Sequence, residues 1–113
     1  MSLIYHMADK DDWAKALETG VYPGSPNDIK DGFIHFSTAE TVIESAAKHR
    51  SGEENLLLLT VESDILGEAL KWEEARGGIL FPHLFAALKP EQVMKVEGLP
   101  LGPGGLHQLP PLF

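Results

Sequence analysis

The segment Asp31–Thr38 combines residue types that could bind or act on a small polar molecule. Its sequence, DGFIHFST, predicts a short strand over Phe33–Phe36 that leads into a helix opening on two hydroxyls. Side chains alternate along a strand, so His35 and Ser37 share one face of it. The imidazole would then lie on the side of Ser37, Thr38 and the unpaired amides of the helix start. We expect this arrangement to suit a polar or anionic ligand.

Three further places in the chain carry reactive side chains. His6 is predicted to end the first strand. The segment Trp72–Gly78 places Glu73 and Arg76 beside two glycines, and the guanidinium fork of Arg76 suits a phosphate or carboxylate. His83 lies among apolar residues, where a polar side chain needs a partner and where partial burial could bring its pKa toward neutrality. These places are additional candidates for a ligand site.

Each candidate also has a purely structural interpretation. Ser37 and Glu40 have the spacing of a capping box, so Ser37 would cap the helix whether or not it also contacts a ligand. The histidines could be core residues whose ring nitrogens are satisfied by backbone groups. Trp72–Gly78 could be a hairpin loop with solvated charges. The sequence alone leaves these interpretations open beside the functional ones.

Metal and serine-hydrolase chemistry are both disfavoured by the spacing of these residues. His6, His35 and His83 could supply three imidazoles to a zinc ion, but no pair has the HExxH spacing, and we expect no metal. Ser37 lies outside a GxSxG motif, and no acid is evidently placed to orient His35. The chain has no cysteine and neither the Walker nor the GxGxxG phosphate-binding motif.

The elements that must position these residues follow from periodicity and cap signals. The first helix should be capped by Asp9 and should bury Trp13 and Leu17. The prolines and glycine of Tyr22–Asn27 predict a loop. We expect strands over Leu3–Met7, Phe33–Phe36, Asn55–Val61, Ala69–Glu73, Ile79–Phe81 and Val93–Val96, and helices over Lys10–Thr19 and from Ser37 to about Arg50.

Composition and charge limit the fold class and the partners. We expect one α+β domain over residues 1–113, with two main helices and an extended Pro- and Gly-rich tail at 98–113 that packs on the domain. A net charge of −8 argues against nucleic-acid backbones and anionic membranes as partners. The chain lacks an apolar run of the roughly 18 residues that a membrane span needs, and it lacks a signal-like start, so we expect a cytoplasmic protein.

Several of these segments together resemble a known family. The quoted segments are Ile4–His6, Gly20–Tyr22, Asp31–Thr38, Lys71–Glu73, Arg76–Gly78 and Leu80–Phe85. They look like the bacterial proteins grouped as domain of unknown function 952, and the likeness runs from about Leu3 to Val96. This resemblance implies a fold similar to that of the ADP-ribosyltransferases, in which two small sheets enclose a cleft for NAD.

The resemblance also implies roles for particular residues. His6 matches the position that engages the nicotinamide ribose, and Ser37 or Thr38 matches the hydroxyl that holds nicotinamide. Around Phe81–Phe85 the family pattern would offer a catalytic glutamate, and this chain has His83 instead. Glu73 is then the carboxylate nearest to the motif.

The resulting hypothesis is an NAD- or nucleotide-binding enzyme that carries out glycosyl transfer or hydrolysis. Arg76 would hold a phosphate, His35 or His83 would act as acid or base, and Glu73 would stabilise the positive charge that develops on the ribose. The two histidines could also act on a different phosphorylated substrate. The alternatives are a module that binds a nucleotide or another small molecule without catalysis, an accessory to a partner protein, and a metal protein, and the sequence identifies no protein partner.

Overall fold

Two three-stranded antiparallel sheets form the framework of the computed structural model, which describes residues 2–110 and 112. The strands are Leu3–Asp9 (β1), Ile34–His35 (β2), Leu56–Glu62 (β3), Leu70–Glu74 (β4), Leu80–Leu84 (β5) and Val93–Gly98 (β6). The first sheet has the order β1-β3-β6, and the second has the order β2-β5-β4. The helices of the described residues are Lys10–Thr19 (α1), Pro26–Asp31 (α2) and Val42–His49 (α3). The expected α+β class is confirmed, with one more helix than the sequence predicted.

The first sheet is covered on both faces. On one face Ile4 and Leu59 pack with Ile34 and Leu84 of the second sheet and with Trp13 of α1. The other face packs against α3 and the C-terminal segment through Tyr5, Val42, Leu58, Leu99, Leu109 and Leu112. The buried middle strand predicted over Asn55–Val61 is therefore confirmed as β3. Because both faces of the first sheet are packed, this sheet can line a cleft only where the two sheets meet.

Helix α1 begins and ends where the sequence predicts. The Asp9 carboxylate accepts hydrogen bonds from the amides of Asp11 and Asp12, and Gly20 ends the helix in a left-handed conformation with φ of 88°. Trp13 is buried as expected, but Leu17 is 60% exposed and Ala16 takes its place in the core. The prediction for Leu17 was wrong because the buried face follows the three-residue spacing from Trp13 rather than the four-residue spacing.

The segment predicted as a loop, Tyr22–Asn27, contains the start of α2. Ser25 is the N-cap, Pro26 occupies the first turn, and the carboxylate of Asp28 accepts hydrogen bonds from the Ser25 amide and hydroxyl. Serine followed by proline and then by an acid at the third helical position is a helix-start signal. The high proline and glycine content of the segment concealed that signal.

The capping box predicted for Ser37 and Glu40 is wrong. The Ser37 amide donates to the Tyr5 carbonyl, and its carbonyl accepts from the Tyr5 amide, so Ser37 is part of an extended bridge to β1. Helix α3 begins later, at Val42, with Thr41 as its N-cap. The pairing with β1 removes Ser37 from the helix start and connects the two sheets.

The C-terminal segment packs on the first sheet but is not wholly irregular. The leucine and phenylalanine residues of the tail predicted to pack on the domain are Leu101, Leu106, Leu109 and Phe113. Leu109 contacts the core as predicted, whereas Leu106 is 51% exposed, and Leu112, which was not predicted, also contacts the core. A 3-10 turn at Pro103–Gly105 and a bridge between Leu101 and His107 give it local structure. The predicted contact of Phe113 lies outside the described residues. Among the helices of the described residues, none has the length and hydropathy needed to cross a membrane.

Candidate functional site

A cleft of about 360 Å³ opens where the two sheets meet. Its walls come from β1, β2, β5, α2 and the C-terminal end of α3, and its lining includes His6, His35, Ser37 and His83. Four residues that the sequence analysis singled out are thus brought to one cavity. Its volume lies near the lower end of the range typical for ligand sites, about 300–1,000 Å³, so a mononucleotide-sized group matches it better than a full dinucleotide.

His35 forms an ion pair with the buried carboxylate of Asp28. The distance from His35 Nδ1 to Asp28 Oδ1 is 2.5 Å, and the same oxygen accepts from the His35 amide at 3.0 Å. The expectation that no acid orients His35 was therefore wrong. Asp28 comes from α2, seven residues earlier, and the loop predicted for this segment hid its placement. A helix-start analysis of Ser25–Asp28 would have located this acid.

The two members of this pair hold each other in their charged forms. The hydrogen bond that the His35 ring donates to Asp28 raises the pKa of His35 more than partial burial lowers it, and Asp31 contributes through a second contact at 3.2 Å from His35 Nε2. Burial alone would raise the pKa of Asp28, but the hydrogen bonds and charge of the neighbouring groups, His35 first, lower it to about 2. His35 is thus favoured as an imidazolium, which can donate a proton or attract an anion.

His6 is buried in the middle of β1 rather than at its end, and both of its ring nitrogens are hydrogen bonded. Nδ1 lies 2.6 Å from the His35 carbonyl, and Nε2 lies 2.7 Å from the Tyr22 hydroxyl. A carbonyl can only accept, so Nδ1 carries the proton and Nε2 accepts from the phenol. Burial lowers the pKa of His6, with Asp28 acting against that effect. His6 is therefore held neutral, in one tautomer, between β1, β2 and the buried Tyr22.

His83 forms the second histidine–carboxylate pair. Its Nδ1 lies 2.8 Å from the Glu73 carboxylate, and its ring stacks on Phe33 with centroids 4.2 Å apart. The side chain of His83 is 10% exposed, whereas that of Glu73 is 47% exposed. Among the described residues, Nε2 has no hydrogen-bond partner. A carboxylate on one ring nitrogen and a free second nitrogen is the arrangement of a general base.

Strand register places His35 and His83 side by side. The strand predicted over Ile79–Phe81 extends to Leu84 as β5, and His83 pairs directly with His35 of the shorter β2. Their ring centroids are 5.5 Å apart. A group bound at this point of the cleft would contact one histidine favoured as the acid and another suited to be the base. The sequence contained both residues but could not show that they are neighbours.

The two hydroxyl residues behave differently from each other. Ser37 lines the cleft, and its hydroxyl donates to Ser45 of α3 at 3.2 Å. Thr38 is not among the lining residues, and its amide and hydroxyl contact the Thr41 hydroxyl. Ser37 is thus the better placed of the two for a ligand contact.

The arginine of the site comes from the end of a helix to which the sequence assigned no chemical role. Arg50, which follows α3, lines the cleft together with His49. The side chain of Arg76, expected to hold a phosphate, lies outside the described part of the structure. The described residues contain no group of three or more histidine, aspartate or glutamate side chains arranged to hold a metal ion.

Comparison with known proteins adds a family to this geometry. The family model described as "Protein of unknown function (DUF952)" matches residues 7–96. The chain belongs to the DUF952 family. The DUF952 match includes Asp28, His35, Arg50, Glu73 and His83, while His6 lies just before it. No curated protein shows a significant match.

A DUF952 chain should share its fold with other members, and solved structures agree. The crystal structure of CC0527 from Caulobacter crescentus is 44% identical over 95% of this chain and 94% of that one, with a TM-score of 0.92. The solution NMR structure of the same protein is 44% identical over 96% and 93% of the two chains, with a TM-score of 0.85. CC0527 is a structural genomics target. These comparisons show that the two proteins share a fold, and they add no activity.

Proposed function

We propose that this protein is an enzyme that binds NAD or a related nucleotide in the cleft and cleaves its glycosidic bond. The observation that carries the proposal is the pair of adjacent histidines, each held by a carboxylate, on one wall of the cleft. Placing these hydrogen-bonded side chains together has a structural cost, because burial removes part of their hydration. The position of the pair at a cavity, rather than at an open surface, favours a chemical role.

The proposal includes a fold related to that of the ADP-ribosyltransferases. Two small antiparallel sheets meet at a single cleft in the described residues, which is the arrangement that such a relationship requires. His6 on β1 and Ser37 after β2 line the cleft. This supports the proposal that they contact the ribose and the nicotinamide, the roles that the family resemblance implies. Because both nitrogens of His6 are engaged, His6 would act by fixing β2 and would reach a ribose only by exchanging its bond to Tyr22.

In the proposed reaction, His83 is the catalytic base and Glu73 is a positioning residue. The oxygen of water forms a bond to the ribose C1′, and the bond from C1′ to nicotinamide breaks. Its electron pair goes to the ring nitrogen, so nicotinamide leaves neutral, and the proton of water passes to Nε2 of His83. Glu73 orients His83 and stabilises the imidazolium that results. The His35 imidazolium would bind a negative or carbonyl oxygen of the substrate.

A binding module without catalysis is the alternative function. One observation favours it: both nitrogens of His35 contact carboxylates, so the acid partner is not free until a ligand displaces the exposed Asp31. A permanently paired His35 would serve as a rigid wall. Ligand binding without turnover would be the expected result in that case.

Release of nicotinamide from NAD tests the proposal. We expect the parent protein to release it, and we expect His83→Asn to reduce the rate by about 100-fold or more, the usual contribution of a general base. Glu73→Gln should reduce the rate less, since the imidazole remains. Glu74→Gln is the matched control, because Glu74 is the exposed neighbour of Glu73 on β4 and lies outside the cleft lining.

The melting temperature of each variant separates catalysis from folding. Rates that fall while melting is unchanged support the catalytic role of His83. Binding of NAD, ADP-ribose or nicotinamide mononucleotide without any release of nicotinamide would replace the enzyme by the binding module. If none of these compounds binds at millimolar concentration, the nucleotide proposal is wrong.

A further inference from the structure

Arg50 is a charged residue for which the proposed reaction has no role. It follows α3 as the C-cap residue, lines the cleft, and has a side chain only 18% exposed. The guanidinium is largely shielded from water, so its charge has lost part of its hydration. Its position on the wall opposite α2 therefore needs an explanation.

Two hydrogen bonds orient the Arg50 guanidinium, and some of its N–H groups remain without a partner among the described residues. Nε donates to the Glu53 carboxylate at 2.9 Å, and Nη1 donates to the Met7 carbonyl at 3.3 Å. A guanidinium has five N–H groups, and among the described residues Nη2 has no partner. Because Glu53 is 47% exposed, its ion pair with Arg50 contributes little to stability, but it orients the guanidinium. Arg50 is thus pre-oriented, and part of its fork remains available.

The cleft is divided by charge. The α2 side carries the carboxylates of Asp28 and Asp31, whereas the α3 side carries the guanidinium of Arg50. The charge of Arg50 also reaches the cleft interior, since it is among the lesser causes that lower the pKa of the buried His6, after burial itself. His35 is favoured as a cation between Asp28 and Asp31 and offsets part of their charge, so the α2 side keeps a net negative charge. An anion would therefore favour the α3 side, where Glu53, the carboxylate paired with Arg50, lies outside the cleft lining.

Buried hydroxyls lie on the same side as Arg50. Ser37 and Ser45 line the cleft between the second sheet and α3, and their hydroxyl oxygens are 3.2 Å apart. Hydroxyls together with a guanidinium fork are the groups that commonly hold phosphate oxygens. On the α2 side the described lining residues are Ser25, Asn27, Asp28 and Asp31. The Ser25 hydroxyl there already donates to the Asp28 carboxylate, and none of these four residues has a guanidinium.

We propose that Arg50 forms a phosphate-binding subsite at the α3 end of the cleft, which takes the 5′-phosphate attached to the nicotinamide ribose. This inference deepens the proposed function, because it rests on the cleft being a nucleotide site and names which part of the nucleotide each end receives. The phosphate lies on Arg50, and the ribose and base extend toward His35 and His83. Arg50 thereby selects phosphorylated substrates over the corresponding nucleosides.

A pair of ligands that differ only in the phosphate tests the subsite. Nicotinamide mononucleotide and nicotinamide riboside are titrated into the parent protein, Arg50→Gln and Lys48→Gln by calorimetry. We expect Arg50→Gln to weaken the mononucleotide by about tenfold or more, the effect of a lost charge-assisted contact, and to leave the riboside unchanged. Lys48→Gln removes the same charge from α3 but outside the cleft lining, so it should change neither affinity by more than about twofold.

Inorganic phosphate separates failure of the subsite from failure of the nucleotide proposal. In the parent protein, phosphate should shift the NMR signal of the Arg50 Nε–H, and Arg50→Lys, which keeps the charge, should retain part of the affinity. If phosphate binds at Arg50 and neither nicotinamide compound binds, the phosphate subsite is supported and the proposed nucleotide function is wrong. If both compounds bind equally well, or Arg50→Gln weakens both alike, the subsite is wrong and the nucleotide cleft remains.

Discussion

Asp28 is the residue on which the geometry of the cleft depends most directly. One carboxylate oxygen accepts from the His35 ring and amide, and the other accepts from the Ser25 amide and hydroxyl. The side chain is only 3% exposed, so these bonds replace nearly all of its hydration. A carboxylate with this many donors connects the start of α2 to β2 and fixes the charge of His35.

Replacement of Asp28 should therefore change both His35 and the stability of the fold. In Asp28→Asn we expect the pKa of His35 to fall toward its ordinary value of 6.5, because the main cause of its increase is removed. We also expect a loss of about 1–3 kcal/mol in the free energy of unfolding, the cost of weakening the hydrogen bonds of a buried carboxylate whose partner His35 is 41% exposed. NMR titration of the His35 ring protons and urea denaturation measure the two effects.

Asp31→Asn is the matched control for this prediction. Asp31 contacts the other nitrogen of His35, but its side chain is 47% exposed. We expect a smaller decrease in the pKa of His35 and a loss of stability below about 1 kcal/mol, since exposed pairs contribute little. If Asp31→Asn shifted the His35 titration more than Asp28→Asn, the role assigned to the buried carboxylate would be wrong.

At the scale of elements, the success of sequence-based prediction depended on whether the determining contacts were local. The limits of α1 follow from Asp9 and Gly20, which act within the helix, and they were predicted correctly. The start of α3 was missed because the backbone of Ser37 pairs with Tyr5 of β1, a strand that is distant in sequence. The neighbourhood of His35 and His83 likewise depends on the register of β2 and β5, which no local signal records.

The segment around α2 gives the clearest test of an element acting on the site. Gly24 has φ of +102°, and a Cβ atom there would lie 2.6 Å from the Cβ of Asp28. Gly20 has a similar φ of +88°, but a Cβ atom there would meet nothing within 4 Å. The two positions therefore share the backbone strain of a left-handed residue and differ in the contact with Asp28.

Gly24→Ala should disturb the site, whereas Gly20→Ala should only destabilise the fold. Both variants should lose about 1–2 kcal/mol, the cost of a left-handed alanine. Only Gly24→Ala should displace Asp28 and lower the pKa of His35, which NMR titration of the ring would detect. An unchanged His35 titration in Gly24→Ala would show that Asp28 adapts to the added methyl group without losing its bonds.

At the scale of the whole molecule, the two sheets are joined at the cleft by a backbone bridge and by one side chain. Tyr5 and Ser37 exchange both amide bonds, and His6 on β1 donates to the carbonyl of His35 on β2. His6 must remain neutral to keep its bond from Tyr22, while His35 beside it is favoured as a cation. Two histidines with opposite preferences therefore stabilise the same junction.

These opposite preferences predict that the stability of the molecule is greatest near pH 6.5. Below this pH the unfolded chain binds a proton at His6 that the folded chain resists, because burial lowers the pKa of His6, so stability decreases as the pH falls. Above it the unfolded chain loses the proton of His35, which the folded chain keeps through Asp28, so stability decreases as the pH rises through the raised pKa.

Urea denaturation between about pH 5 and 9 measures both limbs of this pH profile. His35→Gln should flatten the alkaline limb and His6→Asn the acid limb, whatever their effects on absolute stability. An alkaline limb that persists in His35→Gln would mean that a group other than the His35–Asp28 pair controls the loss of stability above pH 6.5.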